Sequence, residues 1–220
     1  MGGAWNNRLF AASVGAFYDW AMQQERVAAG YLRLIVGASA ADLFNAMDVV
    51  GEMPDRSAIL DVPCGGGVTL RRLRPGQHVR YVAADISPTM LQRARRHVRS
   101  QCNATVEFVQ CNIEHMPFDD DEFDLVVCFS GLHCLPNPAA AVTEMARCLR
   151  PGGRLVADVA IGGRLRRTDV FMAFGRRAGI FGPSASLADV RRWLADAGLT
   201  INTEHQSGAL TYISADRPAV

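Results

Sequence analysis

The stretch Ile59-Leu60-Asp61-Val62-Pro63-Cys64-Gly65-Gly66-Gly67-Val68-Thr69-Leu70 decides how this chain reads. An apolar run closed by an acid, three glycines and a second apolar segment predict a buried strand, a tight turn and the start of a helix. Glycine lets backbone approach a ligand with no Cβ between them, and a helix N-terminus offers N–H groups that lack a helical partner. The stretch predicts a cofactor loop, although the same glycines also suit a sharp connection.

Working outward, a short helix is expected to end near Arg74 at Pro75-Gly76, followed by an apolar strand from Val79 that closes on Asp85. An acid about twenty residues past the glycines of a βαβ unit is placed to accept the two hydroxyls of a ribose; it could equally cap the next helix. Ser87-Pro88 opens that helix, with Met90, Leu91, Ala94 and Val98 on one side and Arg93, Arg95, Arg96 and Arg99 on the other. No aromatic residues interleave with these arginines, so they read as a solvated face and not as a nucleic-acid surface.

Further strands are expected at Thr105 to Gln110, Phe123 to Phe129 and Arg154 to Ala160, with a helix opened by Pro138 between the last two. Strands alternate with helices, which predicts an α/β, doubly wound, mostly parallel sheet covered on both faces. Ser186 caps a last helix, Leu187 to Ala197. Two closing apolar runs around Ser207-Gly208 read as an antiparallel hairpin, which brings the sheet to seven strands. Gly162 to Phe181 is basic and glycine-punctuated, with Val170, Phe171, Phe174 and Ile180 as its apolar side.

Before the first strand, apolar residues recur at helical spacing from Leu9 to about Gly51, and Ser39 with Asp42 suits a helix cap. Residues 1–54 are expected to form a helical cover or lid, and 55–220 the core of a single domain. Phe10, Phe17, Tyr18 and Trp20 make the lid reading worth testing.

At 220 residues, 49% hydrophobic and a formal net charge of +1, the chain is long enough for one substantial core and carries no global field for nucleic acid or anionic membranes. All 23 basic residues are arginine, which excludes a P-loop lysine and a Schiff-base lysine. The six cysteines form no C-x-x-C pair and do not resemble a zinc ligand set, so no metal is expected and a reducing compartment fits. No stretch reaches the roughly eighteen apolar residues of a membrane span, and neither a cleavable signal nor a myristoylation signal is evident at the N-terminus. A cytoplasmic protein without stable membrane insertion is expected.

With these residues placed, the sequence resembles the class I S-adenosylmethionine (SAM) dependent methyltransferases, in particular the branch acting on quinones, sterols and small molecules. The resemblance runs from about Ser57 to Ala160 through LDVPCGGG, VAADISPTML, CNIEHMPF, FDLVVCFSGLHCL and MARCLRPGGRLV. It implies a Rossmann-like fold, SAM as cofactor and a small, apolar or amphipathic methyl acceptor, with no nucleic acid partner and room for a homodimer. By the same resemblance, Asp61, Gly65 and Gly67 hold the methionine part, Pro63 stands among the cofactor-binding residues, and Asp85 holds the ribose. Ile86 and Met90 pack on the adenine, Asn112 and Ile113 meet its edge, and Phe129 closes the site. Pro63 stands where the family commonly has glycine, and Asn112 where it has Asp. His133 is the candidate base or acceptor contact and Tyr18 a candidate lid residue; both stand as catalytic candidates.

The alternatives are a non-catalytic SAM-binding regulatory domain and a NAD-dependent oxidoreductase. The second fails on spacing: Gly65 and Gly67 match two glycines of G-x-G-x-x-G, but Leu70 occupies the third position. A base-flipping enzyme is disfavoured because the fourth strand ends in Phe129-Ser130-Gly131-Leu132.

Overall fold

The structure, a computed structural model, describes residues 16–98 and 103–219, with side chains for all of these except 16–19 and 25. The predicted helix face at Leu9, Phe10 and Val14, and Cys102, lie outside the described residues. So do the side chains of Phe17 and Tyr18.

Helices α1 (Ala16–Gln23), α2 (Glu25–Tyr31) with a π-helical turn Leu32–Val36, α3 (Ala40–Met47) and the single turn α4 (Val49–Glu52) precede the sheet. Ser39 caps α3, its hydroxyl accepting the Ala41 N–H at 3.2 Å. Asp42 turns instead toward His205, 3.5 Å away. Among the described residues no single helix is long and apolar enough to cross a membrane. The bent pair Arg26–Val36 and Ala40–Glu52 is apolar because it buries Leu32, Val36, Leu43, Met47 and Val50 in the core.

Seven strands follow: β1 (Ala58–Asp61), β2 (Arg80–Asp85), β3 (Thr105–Gln110), β4 (Phe123–Cys128), β5 (Leu149–Ala160), β6 (Thr200–Ser207) and β7 (Leu210–Asp216). They lie in the order β3-β2-β1-β4-β5-β7-β6, parallel except for β7, which pairs antiparallel with both neighbours. The predicted doubly wound sheet with a terminal hairpin is therefore the observed one. Helices α5 (Pro88–Ala94), α6 (Pro138–Cys148), α7 (Arg166–Arg177) and α8 (Leu187–Asp196) complete the layers.

Register explains the unbroken apolar runs of the inner strands. Ile59, level with Tyr81 and Leu125, faces the N-terminal helices. Leu60, level with Val82 and Val126, faces Val142 and Met145 of α6 and Val190 and Leu194 of α8. Both faces are buried, so alternation of polar and apolar residues disappears.

Two expectations are corrected. No α-helix follows the glycines, only the 3-10 turn Thr69–Arg72, because Pro75-Gly76 leaves too few residues to recover the cost of nucleation. The strand expected from Arg154 begins at Leu149 and absorbs Pro151-Gly152-Gly153 as an irregularity, where pairing jumps from Phe123–Leu149 to Leu125–Arg154. Gly152, with φ of +79°, supplies the left-handed residue there. On α7, whose burial the sequence leaves open, Thr168 and Gly175 face inward, while Val170 and Phe174 are exposed.

Candidate functional site

Strand order reverses between β1 and β4, and in an open α/β sheet that point leaves a crevice at the carboxyl ends of the strands. A cleft enclosing about 1140 Å³, open to solvent, occupies it. Its floor is the turn after β1, with Val62, Pro63, Cys64, Gly65 and Gly66; its sides come from Asp85, Ile86 and Met90 after β2, Cys111 to Ile113 after β3, and Phe129 to Gly131 after β4. Met22, Leu43, Phe44 and Met47 of the N-terminal helices form the opposite wall.

Eight residues read from the sequence as site residues therefore meet around one cavity: Pro63, Gly65, Asp85, Ile86, Met90, Asn112, Ile113 and Phe129. Gly65 has φ of +51°, and a Cβ there would point into open space, so the turn presents bare backbone to whatever fills the cleft. Asp85 holds the turn from the side. One carboxylate oxygen accepts the Gly65 N–H at 2.9 Å and the other the Ser87 N–H at 2.8 Å. Ribose contact and helix capping are alternatives for Asp85 in the sequence; the cap is Ser87, whose hydroxyl accepts the Met90 N–H, so Asp85 only holds the cap residue's N–H and each of its oxygens retains a lone pair for a ligand. Burial pushes its pKa up to about 6 against the lowering effect of the backbone N–H groups.

Asp61, Gly67 and His133 are placed elsewhere. Asp61 lies beneath the turn, fully buried, accepting the Tyr81 hydroxyl at 2.7 Å. Desolvation raises its pKa to about 7, with Asp85 adding to the rise. Gly67 serves packing: a Cβ there would come within 3.0 Å of the Ala94 backbone in α5, and its φ is +84°. Asp61 and Gly67 thus support the floor without lining it.

His133 sits in the 3-10 turn Leu132–Cys134, outside the lining, with its ring 5.8 Å from that of Phe181. Nδ1 is enclosed without a hydrogen-bond partner, and burial lowers the pKa to about 4, so the ring is neutral at neutral pH. Tyr18 belongs to α1, whose residue Met22 lines the cleft, but its side chain is outside the described ones.

Sequence reasoning missed the lining residues Cys111, Ser130, Gly131, Cys134 and Leu135, and a buried support, Asp158 at the end of β5. Asp158 accepts the Ser130 N–H and so holds Ser130 in its left-handed conformation, φ +55°, a state costing of order 1 kcal/mol or more for a residue with a Cβ. Burial raises the Asp158 pKa to about 7. An acid interrupting the apolar run of the fifth strand was the available signal. The thiols of Cys111 and Cys134 are pushed up by burial to about 11 and about 12, so both stay protonated near neutrality.

Asp85 is the one charged side chain among the described residues that line the cleft. The lining thus offers an anion, close backbone and apolar slots, and it offers no cationic group for a pyrophosphate.

Residues 60–157 match the family model described as "Methyltransferase domain". That stretch, a little under half of the chain, is similar to a methyltransferase domain. A demethylmenaquinone methyltransferase from Clavibacter sepedonicus is 41% identical over 99 residues, covering 44% of this chain and 39% of that protein. The chain spans about two-fifths of the length of the curated relatives it matches. Among solved structures, a methyltransferase from Bacillus halodurans superposes with a TM-score of 0.66 at 22% identity, covering 81% of this chain and 100% of that one. The geranyl diphosphate C-methyltransferase of Streptomyces coelicolor, solved with S-adenosyl-L-homocysteine, gives a TM-score of 0.63 at 18% identity, covering 81% and 79%. The matched stretch begins after the N-terminal helices, so the wall formed by Met22, Leu43, Phe44 and Met47 lies outside it.

Proposed function

We propose that this methyltransferase domain binds SAM in the cleft and transfers its methyl group to a small, apolar or amphipathic acceptor. The observation that carries the reading is the lone carboxylate, Asp85, in an otherwise uncharged lining, suited to a cationic, phosphate-free cofactor. When bound, SAM supplies a methyl group on a sulfonium, leaving as a neutral thioether.

The chain's own contribution is position and dryness. The remaining lone pairs of Asp85 accept ribose hydroxyls, and Gly65 and Gly66 let the amino-acid part approach the backbone. Ile86, Met90 and Ile113 form an apolar slot for a flat ring. The side chain of Asn112 is partly committed, its Oδ1 accepting the Glu114 N–H at 3.1 Å, which fixes the amide at the edge of that slot.

Among the described lining side chains no group apart from Asp85 is ionised near neutrality, since Cys111 and Cys134 hold their protons. The acceptor therefore brings its own nucleophilic electron pair, and His133 takes no step in this scheme. The apolar wall of Met22, Leu43, Phe44 and Leu135 supports an apolar or amphipathic acceptor. So does the name of the demethylmenaquinone relative.

Calorimetric titration tests the cofactor: SAM and its demethylated product should bind, NAD should not, and no heat with SAM would sink the proposal. Incubation with methyl-labelled SAM and fractionated small-molecule extracts should then yield a labelled product; SAM binding without any transfer would favour the regulatory alternative.

A further inference from the structure

The N-terminal helices and α7 share an outward surface whose composition is unlike the rest of the molecule. On α2 and its π-helical continuation, Val27, Tyr31 and Leu34 follow one another at four and three residues, the spacing of one helix face. On α7, Val170 and Phe174 are four apart, turned away from the buried Thr168 and Gly175. The two elements are joined directly: Thr168 Oγ1 donates to the Ile35 carbonyl at 2.7 Å, Arg167 donates to the Arg33 carbonyl at 3.2 Å, and Tyr31 meets Phe171 edge to face at 6.5 Å. Their apolar stripes lie on neighbouring, directly joined elements, where Phe174 is 73%, Leu34 70% and Val170 63% exposed. An apolar group of this size left in water marks an interaction site.

Arginines outnumber acids on the same elements: α2 and its continuation carry Arg26 and Arg33 with one acid, Glu25. Helix α7 carries four arginines against one acid, Asp169, and that acid is engaged by the Gly163 N–H at 2.9 Å. Arg26, Arg33, Arg166, Arg176 and Arg177 make no ion pair among the described residues, whereas eight other arginines of the chain do. A second copy of the chain on this face would bring the same arginines opposite these, which like-charge repulsion disfavours in a two-fold contact. An anionic bilayer answers both features, with acyl boundary for the apolar stripes and headgroup phosphates for the guanidinium groups.

We propose that this surface seats the protein on anionic lipid bilayers, with Phe174, Val170 and Leu34 entering the interface and the arginines of α2 and α7 on the headgroups. The mode is peripheral: the helices lie in the interfacial plane and do not span. An aromatic line continues inward from it, Phe171 to Phe181 at 5.5 Å and Phe181 to His133 at 5.8 Å, reaching the turn that supplies Cys134 and Leu135 to the cleft.

Sedimentation of the full chain with vesicles tests this. Phosphatidylcholine vesicles containing phosphatidylglycerol should bind at least about tenfold more protein than phosphatidylcholine alone, and raising salt should release it. The pair Val170→Ser and Phe174→Ser should cut binding about tenfold, and the pair Arg176→Gln and Arg177→Gln should remove the preference for anionic lipid, with thermal unfolding of both variants unchanged. Equal sedimentation with and without vesicles overturns the proposal, as does binding that neither pair alters. Binding that appears only after residues 1–15 are removed would give the face to that segment. A dimer in gel filtration that Phe174→Ser dissolves would give it to a second copy. Either result also overturns the membrane seat.

Discussion

The floor of the cleft meets the cavity with main chain and carboxylate-pinned turns, whereas its opposite wall meets it with apolar side chains. On the floor, the Cys64 N–H reaches the Ala84 carbonyl at 2.8 Å, the Val62 N–H reaches Val127 at 3.0 Å, and Asp85 and Asp158 pin Gly65 and Ser130. On the wall the helices are themselves tied down, as by the Ala209 N–H to the Val36 carbonyl at 2.9 Å and Gln77 to the Val50 carbonyl at 2.9 Å, but what they turn to the cavity is the side chains of Met22, Leu43, Phe44 and Met47. Hydrogen bonds between fixed groups define positions to a fraction of an ångström, while packed apolar side chains re-pack at modest cost. A part of the ligand that never changes belongs on the floor, and a part that differs between relatives belongs on the wall.

The sharpest way to break that contrast is stability. Leu60→Ala empties a fully buried site between β2 and β4 directly before the floor, and should cost about 2–5 kcal/mol in denaturant unfolding. A cost below about 1 kcal/mol would mean that the floor relaxes as freely as the wall. Next is binding: Asp85→Ala should weaken SAM by about 2–4 kcal/mol in calorimetry, because charge-assisted hydrogen bonds are lost. Unchanged affinity would remove Asp85 from the ligand.

A smaller effect comes from pH. Asp85 titrates near 6 in the free protein, and ribose hydroxyls bind its ionised form, so affinity for SAM should fall about tenfold from pH 7 to pH 5. The sign for folding is opposite. Raised carboxyls favour the protonated fold, so the stability contributed by Asp61, Asp85 and Asp158 is complete below their unfolded range and is lost as pH climbs through about 6 to 7. A SAM affinity that is flat across this range would argue that Asp85 is already committed to Gly65 and Ser87 alone. Least of all, Phe174→Ser on the outer wall should leave unfolding within about 0.5 kcal/mol, and a larger loss would show that this helix packs on something it has not been seen to touch.

The same contrast explains what could be read from the chain. Strands and floor were legible because a buried parallel strand needs an unbroken apolar run and a close-approach turn needs glycine, both local properties of residues 59 to 70. Asp85 was legible for the same reason, as an acid at a fixed distance along a βαβ unit. Gly67 was assigned to ligand because a glycine shows where a side chain is forbidden and not what forbids it; Ala94, far off in sequence, is the cause. His133 was misplaced by proximity to the strand end, since a 3-10 turn and not the sequence decides which way the ring faces. The sequence marks an apolar side over residues 162 to 181 but not whether it is covered, because hydrophobicity alone does not say what lies against a residue; Val170 and Phe174 are exposed.

The place of β7 also constrains how the molecule is assembled. It is made after β6 yet lies between β6 and β5, so β6 can join the sheet only when Leu210–Asp216 has slotted in beside it. A chain that lacked Leu210–Asp216 would leave β5 with an open edge beside the cleft and β6 with nothing to pair with, a form that invites pairing with a neighbouring chain.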